Sequence, residues 1–405
     1  MDAATIFGLT PEIFSSTQIS QLGNLSESGD LTTAVNQYIR NFQTENHVKI
    51  ISYTVTDNFE KDQHHGFSGV ARMKFEYEMD RKKDLRQVRK KESGQVILKV
   101  PSLAPLYPLI LMMDRSLFDR EIFVYEKILP ELYRLGQCKP FAPILYTVTK
   151  EKVLVLEDLS VDKFIPRDHT DWLDLNECRI TLEVLARYHA LGYKYLQSLS
   201  KNDPSRSLIS LGPLVRESIQ TIDEFYEIIK PHLSQQLQQK IIQLKEELQN
   251  TNISKLIHPR ENSMLVLIHG DFRTGNILFK YDNNDLICEV KILDWQLTRE
   301  ASPVLELMFF FLNSISIETI KTHVNDLLNF YLEKLNNELI SLNIDRSYSK
   351  AELDADMIYY KYRYFDLVCG IFERMINLAE PGTKRDSYIF SAVKWLNYLN
   401  ENEII

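Results

Sequence analysis

The chain reads as an α+β protein with a small β-rich N-terminal lobe and a large helical C-terminal lobe. Short β-type runs fill the region after Val48, long helical patterns follow residue 160, and the change of character falls at Leu156 to Ser160. These observations divide the chain into residues 1–157 and residues 158–405, with a ligand expected in a cleft between the lobes.

Residues 1 to about 45 pattern as a helical lead-in, with Ile19, Leu22, Leu31, Val35 and Ile39 as apolar positions among polar ones. Three β-type runs follow: Ile50 to Val55, Val70 to Tyr77 and Gln95 to Val100. In the second, Met73, Phe75 and Tyr77 alternate with polar residues, as a half-buried strand requires. Asp80 to Glu92, rich in Arg and Lys, reads as a solvated hairpin tip. Phe118 to Leu135 has helical spacing, with Phe118, Ile122, Tyr125 and Leu129 on one stripe, Asp114 or Ser116 as cap, and Pro130 expected to break or bend it. Val153 to Leu156 is expected as the last short strand of the lobe, before Glu157-Asp158-Leu159. Helices are then expected over Asn176–Leu196, Pro213–Ile229, Leu233–Leu248, Val304–Leu342 in pieces, and Ala351–Leu378.

Composition narrows the classes. Apolar residues at 44% and charged residues at 25% are ordinary for a globular chain of 405 residues. A net charge of −9 argues against nucleic acid as a partner, since phosphate binding needs a basic surface. Cys138, Cys178, Cys288 and Cys369 form no CxxC pair and are expected as free, buried thiols. Met1 to Thr10 lacks the features of a signal peptide, and the most apolar run, Val304 to Leu312, is short and interrupted by Glu306. A cytoplasmic protein without membrane association is the expectation.

The chemistry concentrates in His269-Gly270-Asp271, Asn276 and Asp294-Trp295-Gln296. The apolar run Met264 to Ile268 ends at the first group, and Val290 to Leu293 ends at Asp294, so each carboxylate is expected at a strand end. Asp271 is placed to orient and deprotonate an acceptor hydroxyl, and Asn276 and Asp294 to hold Mg²⁺ at a nucleotide's phosphates. His269 is expected to support this catalytic loop by hydrogen-bonding the backbone that carries Asp294. No GxxxxGK[ST], HExxH, GxSxG or Cys/His metal spacing occurs. What remains is the protein-kinase solution to phosphoryl transfer, which also needs a strand Lys, a helix Glu and a phosphate lid. Lys99, within an apolar strand, requires a partner, and Glu121 on the next helix supplies one. A snorkelling edge-strand Lys is the alternative. His65-Gly66-Phe67-Ser68-Gly69 is the lid candidate, with Gly66, Ser68 and Gly69 offering backbone amides to an anion; an ordinary β-turn is the alternative. His189, on the stripe of Cys178, Leu182, Leu185, Gly192 and Leu196, reads as a core histidine before a substrate contact. The aromatics from Tyr359 to Phe365 read as core before pocket wall.

These residues resemble the ecdysteroid kinase-like family, a branch of the choline kinase and aminoglycoside phosphotransferase superfamily. The resemblance runs from about Val48 to Leu396 and is carried by Phe118-Asp119-Arg120-Glu121-Ile122, Val155 to Ser160, Leu185 to Ala190, His269-Gly270-Asp271, Asn276 to Phe279, Asp294 to Leu297, and Ser302-Pro303. It implies a bilobal protein-kinase-like fold and ATP- and Mg²⁺-dependent phosphorylation of a hydroxyl on an ecdysteroid-like or other apolar alcohol. By position it implies Asp271 as base, Asn276 and Asp294 as metal ligands, Lys99 with Glu121 as the phosphate-positioning pair, and backbone at Glu157 to Leu159 against the adenine. Two departures stand out: Gln63-His64-His65 replaces the family's usual Gly-Glu-Asn lid start, and Glu306 stands where an Asp is usual. The alternatives are a choline- or aminoglycoside-type kinase of a cationic alcohol, and a non-catalytic nucleotide- or sterol-binding protein.

Overall fold

The computed structural model describes residues 40, 43, 48–56, 68–83, 86–101, 117–149, 152–167, 172–200, 203–209, 219–250 and 259–405. Nearly all of the expected lead-in, the lid from Gln63 to Phe67, and the expected caps Asp114 and Ser116 lie outside them. The fold is α+β. It forms two compact units, Met1–Leu129 with Ala142–Phe164, and Pro130–Phe141 with Ile165–Ile405.

The first unit is built on a five-stranded antiparallel sheet in the order β1-β2-β3-β5-β4. Its strands are β1 (Val48–Thr56), β2 (Ser68–Lys83), β3 (Arg86–Pro101), β4 (Leu145–Val148) and β5 (Leu154–Glu157). The short β4 was not expected from the sequence. β2 and β3 stay in register from Ser68↔Pro101 to Lys83↔Arg86, so residues 80–83 and 86–92 of the expected hairpin tip are paired strand. Ser68 and Gly69, the last two residues of the lid candidate, open β2 opposite Pro101 and Val100. Alternation along β2 buries Met73 and Phe75 with Val96, Leu98, Val100, Val153 and Val155, and Tyr77 packs against that cluster. The helix α1 (residues 117–136) follows. Pro130 does not break it. The turn Val124–Ile128 just before Pro130 is π-type, and the Leu129 N–H donates to Val124 O, five residues back. A widened turn relieves the crowding and absorbs the donor that proline lacks.

The second unit is mainly helical: α2 (Leu175–Ser198), α3 (Pro204–Ile209), α4 (Ile219–Ile229), α5 (Gln235–Asn250), α6 (Pro303–Ser314), α7 (Ile317–Ser341), α8 (Lys350–Tyr359), α9 (Lys361–Leu378) and α10 (Thr383–Glu401). The single helix expected from Ala351 to Leu378 is two, parted at Tyr360, and α10 was not foreseen. Two small sheets complete the unit, β10-β7 and β6-β8-β9, from β6 (Ile165–Pro166), β7 (Val266–Ile268), β8 (Ile277–Tyr281), β9 (Ile287–Ile292) and β10 (Arg299–Ala301). A capping box starts α2, in which Asp174 accepts from the Glu177 N–H at 2.8 Å and Glu177 accepts from the Asp174 N–H at 2.8 Å. Gly192 lets α2 lie against β7, since a β-carbon there would stand 2.8 Å from the Leu267 nitrogen. The nearly continuous burial of α6 suits a helix inside a core, with Ser302 as N-cap. Tyr360, Tyr364 and Phe365 are core. The cysteines are free thiols, but only Cys178 and Cys369 are buried; Cys138 is half-buried and Cys288 is exposed. No helix among the described residues is long and apolar enough to cross a membrane.

Candidate active site

In the first unit, β3 lies between β2 and β5, with Lys99 opposite Val70 on one side and Leu154 on the other. An interior strand leaves Lys99 no edge to snorkel from. Its Nζ sits 2.7 Å from both carboxylate oxygens of Glu121, with Lys99 only 7% exposed and Glu121 fully buried. A cation and an anion withdrawn from water at this depth hold each other in one place.

The segment after β5 is pinned by a second buried carboxylate. Asp158 accepts from Arg72 Nε at 2.5 Å, Gln95 Nε2 at 3.0 Å, the Ser160 N–H at 3.0 Å and Ser160 Oγ at 2.7 Å. Burial pushes the Asp158 carboxyl up, but the hydrogen bonds from Arg72 and Ser160 outweigh it and hold the group below its ordinary range. Glu157 turns its side chain to the Ile144 N–H at 3.1 Å, while Leu159 is buried. The Leu159 carbonyl already accepts from the Asp162 and Phe164 N–H groups at 3.2 and 3.1 Å.

In the second unit the fully buried β7 ends at His269, and the chain turns through Gly270 at φ +88°. A β-carbon on Gly270 would stand 2.4 Å from the Leu297 carbonyl oxygen, so only glycine fits this turn. His269 is buried, and its Nε2 donates to the Leu293 carbonyl at 2.8 Å. Its Nδ1 is thereby left to accept the Asp271 N–H at 3.3 Å. The ring stacks edge-on against Trp295, centroids 4.8 Å apart. Asp271 is half-buried. Oδ2 accepts from Asn276 Nδ2 at 2.8 Å and Oδ1 from Arg273 Nε at 3.1 Å. Asn276 also donates to the Asp271 carbonyl at 2.9 Å, which turns its Oδ1 the other way.

The β8–β9 hairpin brings the two candidate metal holders to one end. Ile277 pairs with Ile292, and the Leu293 N–H donates to the Asn276 carbonyl at 2.9 Å. Asp294, the next residue, stands in the left-handed region at φ +66° and ψ +65°, with Gln296 Nε2 on its Oδ2 at 3.1 Å. Left-handed backbone is uncommon for a non-glycine residue, and such strain clusters at functional sites. Contacts through Leu293 and Asn276 therefore link His269, Asp271, Asn276 and Asp294.

Glu306 is the residue that reading the sequence undervalued. Fully buried on α6, it takes the N–H of His269 on Oε2 and the N–H of Gly270 on Oε1 at 2.8 Å. His189 Nε2 stands 3.4 Å from its Oε2, and His189 Nδ1 lies 2.7 Å from the Tyr331 hydroxyl. Burial holds the His189 pKa below its ordinary value, so the ring is neutral, donating from Nε2 and accepting the Tyr331 O–H on Nδ1. Burial pushes the Glu306 carboxyl up, but His189 and the Gly270 N–H outweigh it, so its pKa lies below the usual carboxylate value. His189 is thus a core histidine that holds the carboxylate which in turn holds the loop before Asp271. The sequence signal was a Glu inside the most apolar helix, facing a His on an apolar stripe.

The ecdysteroid kinase-like family matches residues 64–344, more than half of the chain. No curated protein matches. Among solved structures, the chain is similar to the ethanolamine kinase of Plasmodium vivax at 10% identity, covering 87% of this chain and 84% of that one with a TM-score of 0.41. It is similar to aminoglycoside 2′-phosphotransferase-IIIa in its GDP complex at 10% identity, with 91% and 98% covered and a TM-score of 0.42. It is also similar to the choline kinase of Streptococcus pneumoniae at 12% identity, with 90% and 98% covered and a TM-score of 0.38. The chain belongs to the ecdysteroid kinase-like family and is a phosphotransferase acting on an alcohol.

Proposed function

We propose that this member of the ecdysteroid kinase-like family transfers the γ-phosphoryl group of ATP, with Mg²⁺, to a hydroxyl of an ecdysteroid-like or other apolar alcohol. The observation that carries the reading is the Asp271–Asn276 contact at the end of a hairpin whose other strand leads to a left-handed Asp294. Asp271 receives the acceptor's hydroxyl proton as the acceptor oxygen bonds to the γ-phosphorus. The bond from that phosphorus to the β-phosphate oxygen breaks, and ADP leaves. His269 and Glu306 keep the loop in place, so the carboxylate need not be reorganised during transfer.

Lys99 sets a fixed positive charge for the nucleotide's phosphates, and Glu121 keeps it from wandering. The Leu159 N–H is the backbone group of that residue left for an adenine, since its carbonyl is taken. Asn276 and Asp294 would hold Mg²⁺, and they fit it: both present oxygen donors, and Asn276 has its amide nitrogen engaged elsewhere. No group of three or more His, Cys, Asp or Glu that could hold a metal occurs among the described residues. The ion supplies charge neutralisation at the phosphates.

Transfer of labelled phosphate from ATP to a panel of sterols, choline and aminoglycosides, with Mg²⁺ and with excess chelator, tests the reading. Labelled sterol phosphate that disappears with chelator is expected. Undiminished turnover in chelator would remove the metal assignment, and labelling of cationic acceptors alone would hand the substrate to the rival class.

A further inference from the structure

The turn after Asp294 is fixed without the Gln296 side chain. The Trp295 Nε1–H donates to the Ile292 carbonyl at 3.1 Å, the Thr298 N–H donates to the Trp295 carbonyl at 3.2 Å, and the Leu297 carbonyl lies against Gly270. Inside that turn Gln296 is only 3% exposed, and its Nε2 donates to Asp294 Oδ2 at 3.1 Å. An ionised carboxylate only accepts, so the amide nitrogen must face it and the amide oxygen must face elsewhere. That oxygen, Oε1, is buried and meets no hydrogen-bond donor among the described residues. A buried acceptor without a donor is destabilising, and an apolar side chain of similar volume would fill the place without it.

We infer that Gln296 is a positioning residue of the magnesium site: its N–H holds the Asp294 carboxylate, and its buried oxygen accepts from a water in the ion's shell. The inference rests on the reading of Asp294 as a metal ligand. Oε1 and Nε2 of one amide stand about 2.2 Å apart, and Nε2 is 3.1 Å from Asp294 Oδ2. The orphaned oxygen therefore lies within about 5 Å of the carboxylate, a span that one water bridges with two hydrogen bonds. Magnesium keeps several of its waters when it binds, and the ion's charge makes them strong donors. Such a water needs an acceptor, and Oε1 is an acceptor that lacks a donor. The left-handed backbone of Asp294, at φ +66°, turns the chain back so that side chains 294 and 296 meet. Groups that orient a metal's ligands in this way typically carry about 10–100-fold in metal affinity. An amide performs both tasks; leucine performs neither, and glutamate keeps an oxygen but loses the N–H.

The ratio of ADP affinities with and without Mg²⁺ reports the ion's contacts with the protein and needs no turnover. Calorimetry would give that ratio for the full chain and for Gln296→Leu, Gln296→Glu and Asp294→Asn, with melting curves in chelator to confirm folding. In the wild type Mg²⁺ should tighten ADP by about tenfold or more, and Asp294→Asn should lose that gain. Gln296→Leu should lose about tenfold of the gain while metal-free ADP binds as in the wild type. Gln296→Glu should keep the gain or enlarge it, since an oxygen remains for the water and the added charge disfavours ADP without its ion. If Gln296→Leu fails to fold, Gln296→Met carries the same expectation at the full side-chain length. A wild-type gain in Gln296→Leu overturns the inference, as does a loss equal with and without Mg²⁺, which is what a purely structural residue would show. A gain lost equally in Gln296→Leu and Gln296→Glu overturns it too, because the N–H alone would then matter. Those three results leave Asp294 as a metal ligand. No gain in the wild type, or one that survives Asp294→Asn, removes the metal reading of Asp294 and the inference with it.

Discussion

Two buried carboxylates of the sheet unit, Glu121 and Asp158, and one of the helical unit, Glu306, are satisfied in different ways. In the sheet unit an opposite side-chain charge meets each: Lys99 for Glu121, Arg72 for Asp158. In the helical unit Glu306 is met by dipoles, two backbone N–H groups and a neutral imidazole. An ion pair fixes two side chains relative to each other. A carboxylate accepting from backbone fixes a loop, and here that loop leads into Asp271. The first device suits a charge that must be presented, the second a turn that must not move.

The largest effect should come from breaking the pair in the sheet unit. Lys99→Met leaves Glu121 buried without its cation and should cost about 3–5 kcal/mol, read by urea denaturation. A second change, Glu121→Leu, should restore most of that stability while phosphoryl transfer stays low, since the charge for the phosphates is gone. Recovery of activity with stability would mean that Lys99 serves the fold alone.

In the helical unit, Glu306→Gln turns an amide nitrogen towards a backbone N–H and should cost about 1–3 kcal/mol. Because the carboxylate positions the base rather than the nucleotide, kcat should fall by about tenfold with the ATP KM nearly unchanged. An ATP KM that rises as much as kcat falls would contradict that division of labour.

The smallest effect is in acid. Asp158 has its pKa lowered in the fold, so its contribution is full above the unfolded value of 3.8 and is lost as pH falls through the lower folded one. Unfolding free energies measured downwards from pH 6 should therefore fall more steeply below about pH 4 in the wild type than in Asp158→Asn. Equal slopes would show that Arg72 and Ser160 do not hold the carboxyl down.

The same contrast explains what the sequence disclosed. Lys99 in an apolar strand demanded a partner, and the next helix offered Glu121, because charge pairing is written in residue types. The stripe on α2 and the order of His269, Asp271, Asn276 and Asp294 were legible for a similar reason: period and spacing place them. Glu306 was visible only as an oddity, since backbone N–H groups leave no mark in a sequence. Arg273 went unremarked because its contact depends on how the loop folds back over Gly275. Pro130 was expected to break or bend its helix, and a widened turn five residues long just before it keeps the helix continuous. The edge strand β4 and the terminal helix α10 lacked any motif to flag them.

The central claim is that Asp271 is the base on the acceptor side of the reaction. The direct measurement is kcat for phosphoryl transfer in Asp271→Asn, with ATP affinity followed by calorimetry in the same preparation. A loss of about 10²–10⁴-fold in kcat, with ATP binding kept, is the predicted result. Transfer at the wild-type rate would contradict it.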